Sequence, residues 1–182
     1  MKAIAMVAHP DDCIIFAYSF MHAYPELDWT VCYLTYEADD YRGSELKAFW
    51  DRRGIKTKFL GYIDDWHDIE NKQISFDEAR AWIDIQEAVS GADIVLTHDA
   101  DGDYGHLHHV LVHQAVADYH PNMVTFAGIN KGTDKYTVPS GVYSFDELPE
   151  HGNVVAGFHQ NGHENEYTIP DNIKVMLGLI KT

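Results

Sequence analysis

Two stretches of this chain combine histidine and aspartate at spacings that suit metal chemistry. Residues 8–12 (AHPDD) and residues 97–109 (THDADGDYGHLHH) each follow the end of a short apolar run. Imidazole nitrogen and carboxylate oxygen are ligands that zinc prefers. The first stretch alone also fits an ordinary turn, in which Asp11 or Asp12 caps the next helix. The choice depends on whether the fold brings the two stretches together.

The apolar segments of the chain alternate between strand-like and helix-like patterns. Strands are predicted at residues 2–7, 30–36, 57–60, 92–97 and 122–127, with weaker candidates at 135–138 and 154–159. Helices are predicted at residues 12–23, 41–53, 76–89, 105–119 and 171–180, and a polar loop at 61–75. This rhythm is typical of one α/β domain over residues 1–182, with a mostly parallel sheet and helices on both faces.

The two polar stretches follow the first and the fourth predicted strands. Open parallel sheets bind ligands beyond the carboxyl ends of their strands. In the common strand order 3-2-1-4-5 these two strands are neighbours, so residues 8–12 would meet the histidines that follow the fourth strand. In the next helix His106, His109 and His113 fall on one face, whereas His108 points elsewhere. This convergence favours a metal site over a simple turn.

A metal at this edge of the sheet would have a recognisable set of ligands. One histidine of the helix, together with His9 and Asp12, supplies three protein ligands and leaves a fourth position open. Catalytic zinc sites have this arrangement, whereas structural sites fill all four positions with protein ligands. Asp11 would then lie beside the metal without binding it, where it can take a proton from bound water.

The composition of the chain excludes several classes of function. The formal net charge is −16, which disfavours a phosphate backbone or an anionic membrane as partner and favours a small or neutral substrate. No apolar run approaches the ~20 residues that span a bilayer, and the first predicted turn lacks the G-x-G-x-x-G of nucleotide-binding domains. Two cysteines give no disulfide framework. We therefore expect a cytoplasmic protein with no nucleic-acid partner and no membrane span, of undetermined oligomeric state.

The AHPDD and YGHxxH stretches, in this order, resemble the LmbE/PIG-L family of zinc-dependent N-acetylglucosaminyl deacetylases. The resemblance extends to Arg42 and Glu45 (RxxE), to FLG at residues 59–61 and to Lys174, and it covers most of residues 1–127. It implies a Rossmann-like α/β fold and a hydrolase that removes the N-acetyl group from an N-acetylglucosamine-type sugar or sugar conjugate. It also implies zinc as the cofactor, with another divalent ion such as Fe²⁺ as the alternative.

The resemblance also implies roles for individual residues. His9, Asp12 and His109 correspond to the zinc ligands of the family. Asp11 corresponds to the general base that activates the zinc-bound water. His106 corresponds to the histidine that stabilises the tetrahedral oxyanion and protonates the departing amine.

Further positions extend this assignment, and one departs from it. Tyr104 corresponds to a tyrosine that hydrogen-bonds the oxyanion, and Arg42 to a residue near the sugar pocket that Glu45 supports. The family usually has Asp where this chain has His108, and that Asp orients the catalytic histidine. Either another acidic residue of the stretch takes over this role, or His106 is a weaker acid. The rival functions are therefore a catalytically impaired metal- and sugar-binding member of the family, or a zinc amidase for a different acylated amine.

Overall fold

The computed structural model describes residues 1–126, 136–138 and 165–181. A seven-stranded sheet with the strand order β3-β2-β1-β4-β5-β7-β6 forms the centre of the fold. The strands are β1 Lys2–Val7, β2 Asp28–Thr35, β3 Lys56–Tyr62, β4 Ile94–Thr97, β5 Met123–Phe126, β6 Tyr136–Val138 and β7 Asn165–Thr168. Strands β1 to β5 pair in parallel, whereas β7 is antiparallel to both β5 and β6. The predicted order 3-2-1-4-5 is confirmed.

Helices connect the parallel strands and cover the sheet. They are α1 Tyr18–Ala23, α2 Tyr41–Asp51, α3 His67–Asn71, α4 Glu78–Val89, α5 Gly102–Gly105, α6 Leu107–Tyr119 and α7 Asp171–Met176. A turn of π-helix, Cys13–Ala17, leads into α1, and α5 is one distorted turn. Among the described residues, no helix is both long enough and apolar enough to cross a membrane.

The central strands are buried on both of their faces, which explains their nearly continuous apolar sequences. Every residue of β4 is buried. One face of the sheet packs against Phe20 of α1 and Trp50 of α2, and the other packs against Ile85 of α4 and Val112 of α6. The α/β sheet with helices on both faces, predicted from the alternating pattern, is therefore confirmed.

Several predicted boundaries differ from the structure. The polar loop predicted at 61–75 contains α3, which is too short for an apolar period to reveal it. The helix predicted at 105–119 begins only at Leu107, because His106 has an extended backbone and caps the helix. The helix predicted to reach residue 180 ends at Met176, because the chain turns left-handed at Gly178 (φ 72°). The strand predicted at 154–159 lies outside the described residues.

Candidate metal centre and active site

The turn that follows β1 fixes His9 and Asp12 against each other. The His9 amide donates a hydrogen bond to Asp12 Oδ2 over 2.7 Å, and the Asp12 amide donates to the His9 carbonyl oxygen over 3.2 Å. The same carboxylate oxygen lies 3.1 Å from His9 Nδ1, and both side chains are buried. A spacing of three residues lets one carboxylate close the turn and reach the ring.

His109 of α6 brings a third ligand atom to the same point. Its Nε2 lies 3.1 Å from His9 Nδ1 and 3.2 Å from Asp12 Oδ2, so the three atoms form a nearly equilateral triangle. Ligands 2.0–2.1 Å from a tetrahedral zinc ion are separated by about 3.3 Å. Two imidazole nitrogens and one carboxylate oxygen at these separations fit zinc and leave one coordination position open. The predicted ligand residues are thus brought together.

His98 and Asp103 lie behind this triangle and orient His109. Asp103 Oδ2 accepts hydrogen bonds from His109 Nδ1 over 2.8 Å and from His98 Nδ1. His98 Nε2 lies 3.5 Å from Asp12 Oδ2, and a grouping of His98, Asp12 and His109 is also compact enough for an ion. However, His98 Nε2 already accepts a hydrogen bond from the Ala8 amide over 2.9 Å. That lone pair is occupied, so His98 supports the site and His9 is the better ligand.

The carboxylates around the triangle favour positive charge on its two histidine rings. Burial opposes the charged form of His9, but Asp12 and Asp64 together outweigh it and raise the pKa of His9 to about 10. The pKa of His109 is raised to about 9, because Asp12 and Asp103 together outweigh burial. Burial would raise the pKa of Asp12, but the two charged rings hold it well below its usual range. A cation that binds here must therefore displace protons.

Asp11 lies outside the triangle and is held by Arg42 of α2. Arg42 Nη2 donates to Asp11 Oδ1 over 2.8 Å, Nη1 donates to the Tyr36 hydroxyl over 3.1 Å, and Nη1 lies 3.6 Å from Asp64 Oδ2. One third of the Asp11 side chain is exposed, in contrast to the buried Asp12. Glu45 is half-buried, one turn further along α2. The two adjacent acids of the AHPDD stretch therefore have different surroundings.

His106 and Tyr104 lie next to the triangle, in the segment that immediately precedes α6. The His106 ring is 4.5 Å from the His9 ring and 4.8 Å from the His109 ring, measured between centroids. Its Nδ1 accepts the backbone N–H of His108 over 3.2 Å, which makes His106 the N-cap of α6. Tyr104 is largely exposed, and its ring centroid lies 5.2 Å from that of His109. Both predicted residues border the candidate site.

The prediction that His108 points away from the site is wrong. Its ring is fully buried, and its Nδ1 lies 3.1 Å from His9 Nε2. On the other side, its Nε2 lies 3.0 Å from Asp68 Oδ2. The prediction assumed that His106 lies in the same helix as His108. His106 precedes the helix, so the helical spacing between the two residues does not apply. His113, counted on the same face, instead contacts the backbone carbonyl of His98 through its Nδ1 over 2.9 Å.

The sequence does not single out the acids that support the site: it gives Asp103 only as one candidate beside Asp99 and Asp101, and its pattern predicts neither Asp64 nor Asp68. Asp64 follows the end of β3, so the rule that selected residues 8–12 after β1 could have included it. Asp103 is distinguished from neighbouring acids by a left-handed backbone (φ 64°), which the sequence does not reveal. Asp68 lies on α3, within the segment predicted to be a loop.

The fold and the site define a class of protein: a mostly parallel α/β sheet with a candidate two-histidine, one-carboxylate metal centre at its carboxyl edge. A model of the PIG-L family, described as GlcNAc-PI de-N-acetylase, matches residues 4–120, more than half of the chain. The chain belongs to this family, which confirms the resemblance drawn from the two motifs.

Solved structures with the same fold include several enzymes. A deacetylase of teicoplanin biosynthesis, crystallised with teicoplanin, has a TM-score of 0.61 and 12% identity over 92% of this chain and 97% of that chain. N,N′-diacetylchitobiose deacetylase from Pyrococcus horikoshii has a TM-score of 0.56 and 16% identity over 95% and 72% of the two chains. The 4-carboxy-2-hydroxymuconate hydratase GalB from Pseudomonas putida KT2440 has a TM-score of 0.58 and 15% identity over 100% and 91%. Because these enzymes carry out different reactions, the shared fold alone does not decide the reaction.

Proposed function

We propose that this protein is a zinc-dependent N-deacetylase that acts on an N-acetylglucosamine-type sugar or sugar conjugate. Membership of the PIG-L family supports an N-deacetylase. The observation that carries the proposal is the triangle of His9, Asp12 and His109, with edges of 3.1–3.2 Å, beside the separate carboxylate of Asp11. Metal-assisted amide hydrolysis needs this combination of an open metal position and an independent base.

The side chains of the site can supply the proton transfers that amide hydrolysis requires. Zinc, when bound, polarises the amide carbonyl and lowers the pKa of a nearby water. Asp11 takes the proton of the attacking water while Arg42, 2.8 Å away, holds its carboxylate at the edge of the triangle. When the carbon–nitrogen bond breaks, Asp11 returns that proton to the amine nitrogen. The products are the free amino sugar and acetic acid, which loses its remaining proton to solvent to become acetate, and Asp11 is again ionised.

His106 stabilises negative charge on the former carbonyl oxygen as a neutral hydrogen-bond donor. Burial, and then the positive charge near His9 and His109, lower the pKa of His106 to about 3. Its Nδ1 accepts the His108 amide, so the single ring proton resides on Nε2. The ring can therefore donate to an oxyanion but has no extra proton to give to the amine. The histidine at position 108 left two alternatives for His106, and this supports the one in which His106 is a poor general acid, because its protonated form is scarce at neutral pH.

The charge around the site supports a neutral substrate. Arg42 is paired with Asp11 and lies 3.6 Å from Asp64, so its charge is already balanced. A neutral sugar can be bound by hydrogen bonds at this point, with Glu45 supporting Arg42 and the exposed ring of Tyr104 lying on the other side. We also place the protein in the cytoplasm, because both of its cysteines are buried as free thiols.

The direct test is acetate release from N-acetylglucosamine and its glycosides by the zinc-loaded protein. Asp11→Asn should lower kcat by about 10²–10⁴-fold while zinc still binds. His9→Ala should abolish zinc binding, and chelation should abolish turnover. The exposed Asp39 provides the control Asp39→Asn, which should behave as the wild type.

The outcomes separate the rival functions. An Asp11→Asn variant as active as the wild type would contradict the proposed mechanism. Release of a different acyl group, with none from N-acetylated sugars, would identify an amidase of another specificity. Tight zinc and sugar binding without turnover of any acylated amine would identify an impaired, binding member of the family.

A further inference from the structure

His108 lies between a predicted metal ligand and a buried carboxylate. Its ring is completely buried; Nδ1 is 3.1 Å from His9 Nε2 and Nε2 is 3.0 Å from Asp68 Oδ2. The proposed amide hydrolysis uses neither His108 nor Asp68. A buried imidazole that contacts partners through both nitrogens is held in one orientation, so it can fix the orientation of His9.

The positions of the ring protons follow from metal binding at His9. If His9 Nδ1 binds the metal, as the triangle requires, its remaining ring proton is on Nε2 and needs an acceptor. His108 Nδ1 at 3.1 Å is nearer than Asp64 Oδ1 at 3.4 Å. His108 then carries its own proton on Nε2, which donates to Asp68. This one arrangement of protons gives each ring nitrogen of His9 and His108 a partner.

Asp68 is itself fixed by the segment after α3. Its Oδ2 accepts hydrogen bonds from the Ser75 amide over 3.1 Å and from the Ser75 hydroxyl over 3.2 Å. Asp68 is buried, whereas the other four residues of α3 are exposed. The ring of Phe76 packs 5.2 Å from that of His108 and closes this side of the site. The hydrogen bonds from His9 through His108 to Asp68, here called the relay, therefore end on a carboxylate whose orientation is fixed.

We propose that His108 is a positioning residue that connects the metal ligand His9 to the carboxylate of Asp68, so that the α3 segment helps to hold the metal centre. This inference rests on the proposed metal site. Partners of this kind orient a ligand and increase its basicity, and their loss costs about 10–100-fold in metal affinity. The connection gives His108 a function in place of the family aspartate.

The same atoms could instead hold a second ion. His9 Nε2, Asp64 Oδ1 and His108 Nδ1 are separated by 3.1, 3.4 and 4.0 Å. With metal already at Nδ1, such a site requires His9 to lose both ring protons, whereas the relay requires only a neutral ring. We therefore favour the relay, and metal stoichiometry distinguishes the two arrangements.

The test measures zinc affinity by chelator competition and the absorption spectrum of the Co²⁺-loaded protein. His108→Leu should weaken zinc binding by about 10–100-fold and change the Co²⁺ spectrum. His108→Asn keeps an amide oxygen near the position of Nδ1 and should lose less affinity than His108→Leu. Asp68→Ala should weaken binding, and the double variant His108→Leu/Asp68→Ala should bind no more weakly than His108→Leu. The exposed neighbour in α3 gives the control, His67→Asn, with wild-type affinity.

Each outcome decides the inference. A folded His108→Leu or Asp68→Ala variant with wild-type zinc affinity and an unchanged Co²⁺ spectrum would overturn the relay and leave the proposed deacetylase intact. If His108→Leu does not fold, Asp68→Ala on the surface helix decides alone. Two tightly bound ions per wild-type chain would replace the relay by the second site. Wild-type protein that binds no zinc would overturn both this inference and the proposed function.

Discussion

Asp103→Ala tests whether a buried carboxylate holds the histidines of the candidate metal centre. Asp103 Oδ2 accepts from His109 Nδ1 over 2.8 Å and from His98 Nδ1. Removal of this shared acceptor deprives two buried ring N–H groups of their hydrogen bond, and each loss costs about 1–3 kcal/mol. Alanine at the left-handed backbone angle of 64° adds about 1 kcal/mol. We expect the free energy of unfolding of the metal-free protein to fall by about 3–7 kcal/mol.

The loss should depend on pH in a defined direction. Burial would raise the pKa of Asp103, but the charge of His98 and the hydrogen bonds of both rings lower it below its ordinary value of 3.8. A lowered carboxyl pKa stabilises the fold above pH 3.8, and this contribution disappears as the pH falls through the folded-state pKa. The difference between the wild type and Asp103→Ala should therefore be full at pH 7 and shrink in acid.

Urea unfolding in the presence of a chelator measures this difference. Asp103→Asn is the matched variant, because asparagine tolerates a positive φ and retains one oxygen acceptor; it should lose less stability than Asp103→Ala. Zinc affinity should fall by about 10–100-fold in Asp103→Ala. An alanine variant within about 1 kcal/mol of the wild type at pH 7, with unchanged zinc affinity, would refute the view that Asp103 supports His109.

Two further predictions concern the base and the protons of the site. Arg42→Met removes the cation 2.8 Å from Asp11 and should lower kcat for acetate release by roughly 10–100-fold. The affinity for zinc should be unchanged. A loss of zinc affinity as large as the loss of kcat would contradict the separation of Asp11 from the triangle. The pKa of His9 is raised to about 10 and that of His109 to about 9, so both rings carry a proton to be displaced at roughly pH 7.5. Zinc binding at this pH should therefore release at least one proton. Calorimetry in buffers of different ionisation enthalpy measures this release, and heats independent of the buffer would show that it does not occur.

The sequence was sufficient to predict the elements that position the site. Continuous apolar runs and the β-α-β rhythm predict a parallel sheet, and the neighbouring positions of β1 and β4 in the common strand order follow from it. That adjacency brings His9 and Asp12 within 3.2 Å of His109, although 100 residues separate His9 from His109 in the chain. Convergence at a strand edge depends on topology alone, which is why it can be predicted without side-chain coordinates.

The supporting shell of the site depends on local backbone geometry, which the sequence pattern does not contain. Helical spacing from His106 directs His108 away from the site, but His106 has an extended backbone and caps the helix, so this spacing does not apply to it. The pattern does not reveal Asp68, because α3 has five residues and only Asp68 among them is buried. Asp103 is selected from its acidic neighbours by a positive φ. In each case one backbone angle or one short turn decides which side chain faces inward.

The surroundings of His108 explain why histidine suits this position, and they predict the cost of restoring the family residue. Asp68 Oδ2 lies 3.0 Å from one ring nitrogen and Asp64 Oδ1 lies 4.0 Å from the other. A third carboxylate between them would face like charges at distances near 4 Å, where repulsion is about 4 kcal/mol per pair at an effective dielectric constant of 20. Uptake of a proton by one of the three carboxyls limits this cost to about 4 kcal/mol at pH 7, because each pKa unit is worth about 1.4 kcal/mol. His108→Asp should therefore destabilise the metal-free protein by about 2–4 kcal/mol at pH 7, and Asp68→Asn in the same chain should restore part of the loss. Urea unfolding of the single and double variants measures both effects. Equal stability of His108→Asp and the wild type would show that the relay is not what makes histidine suitable here.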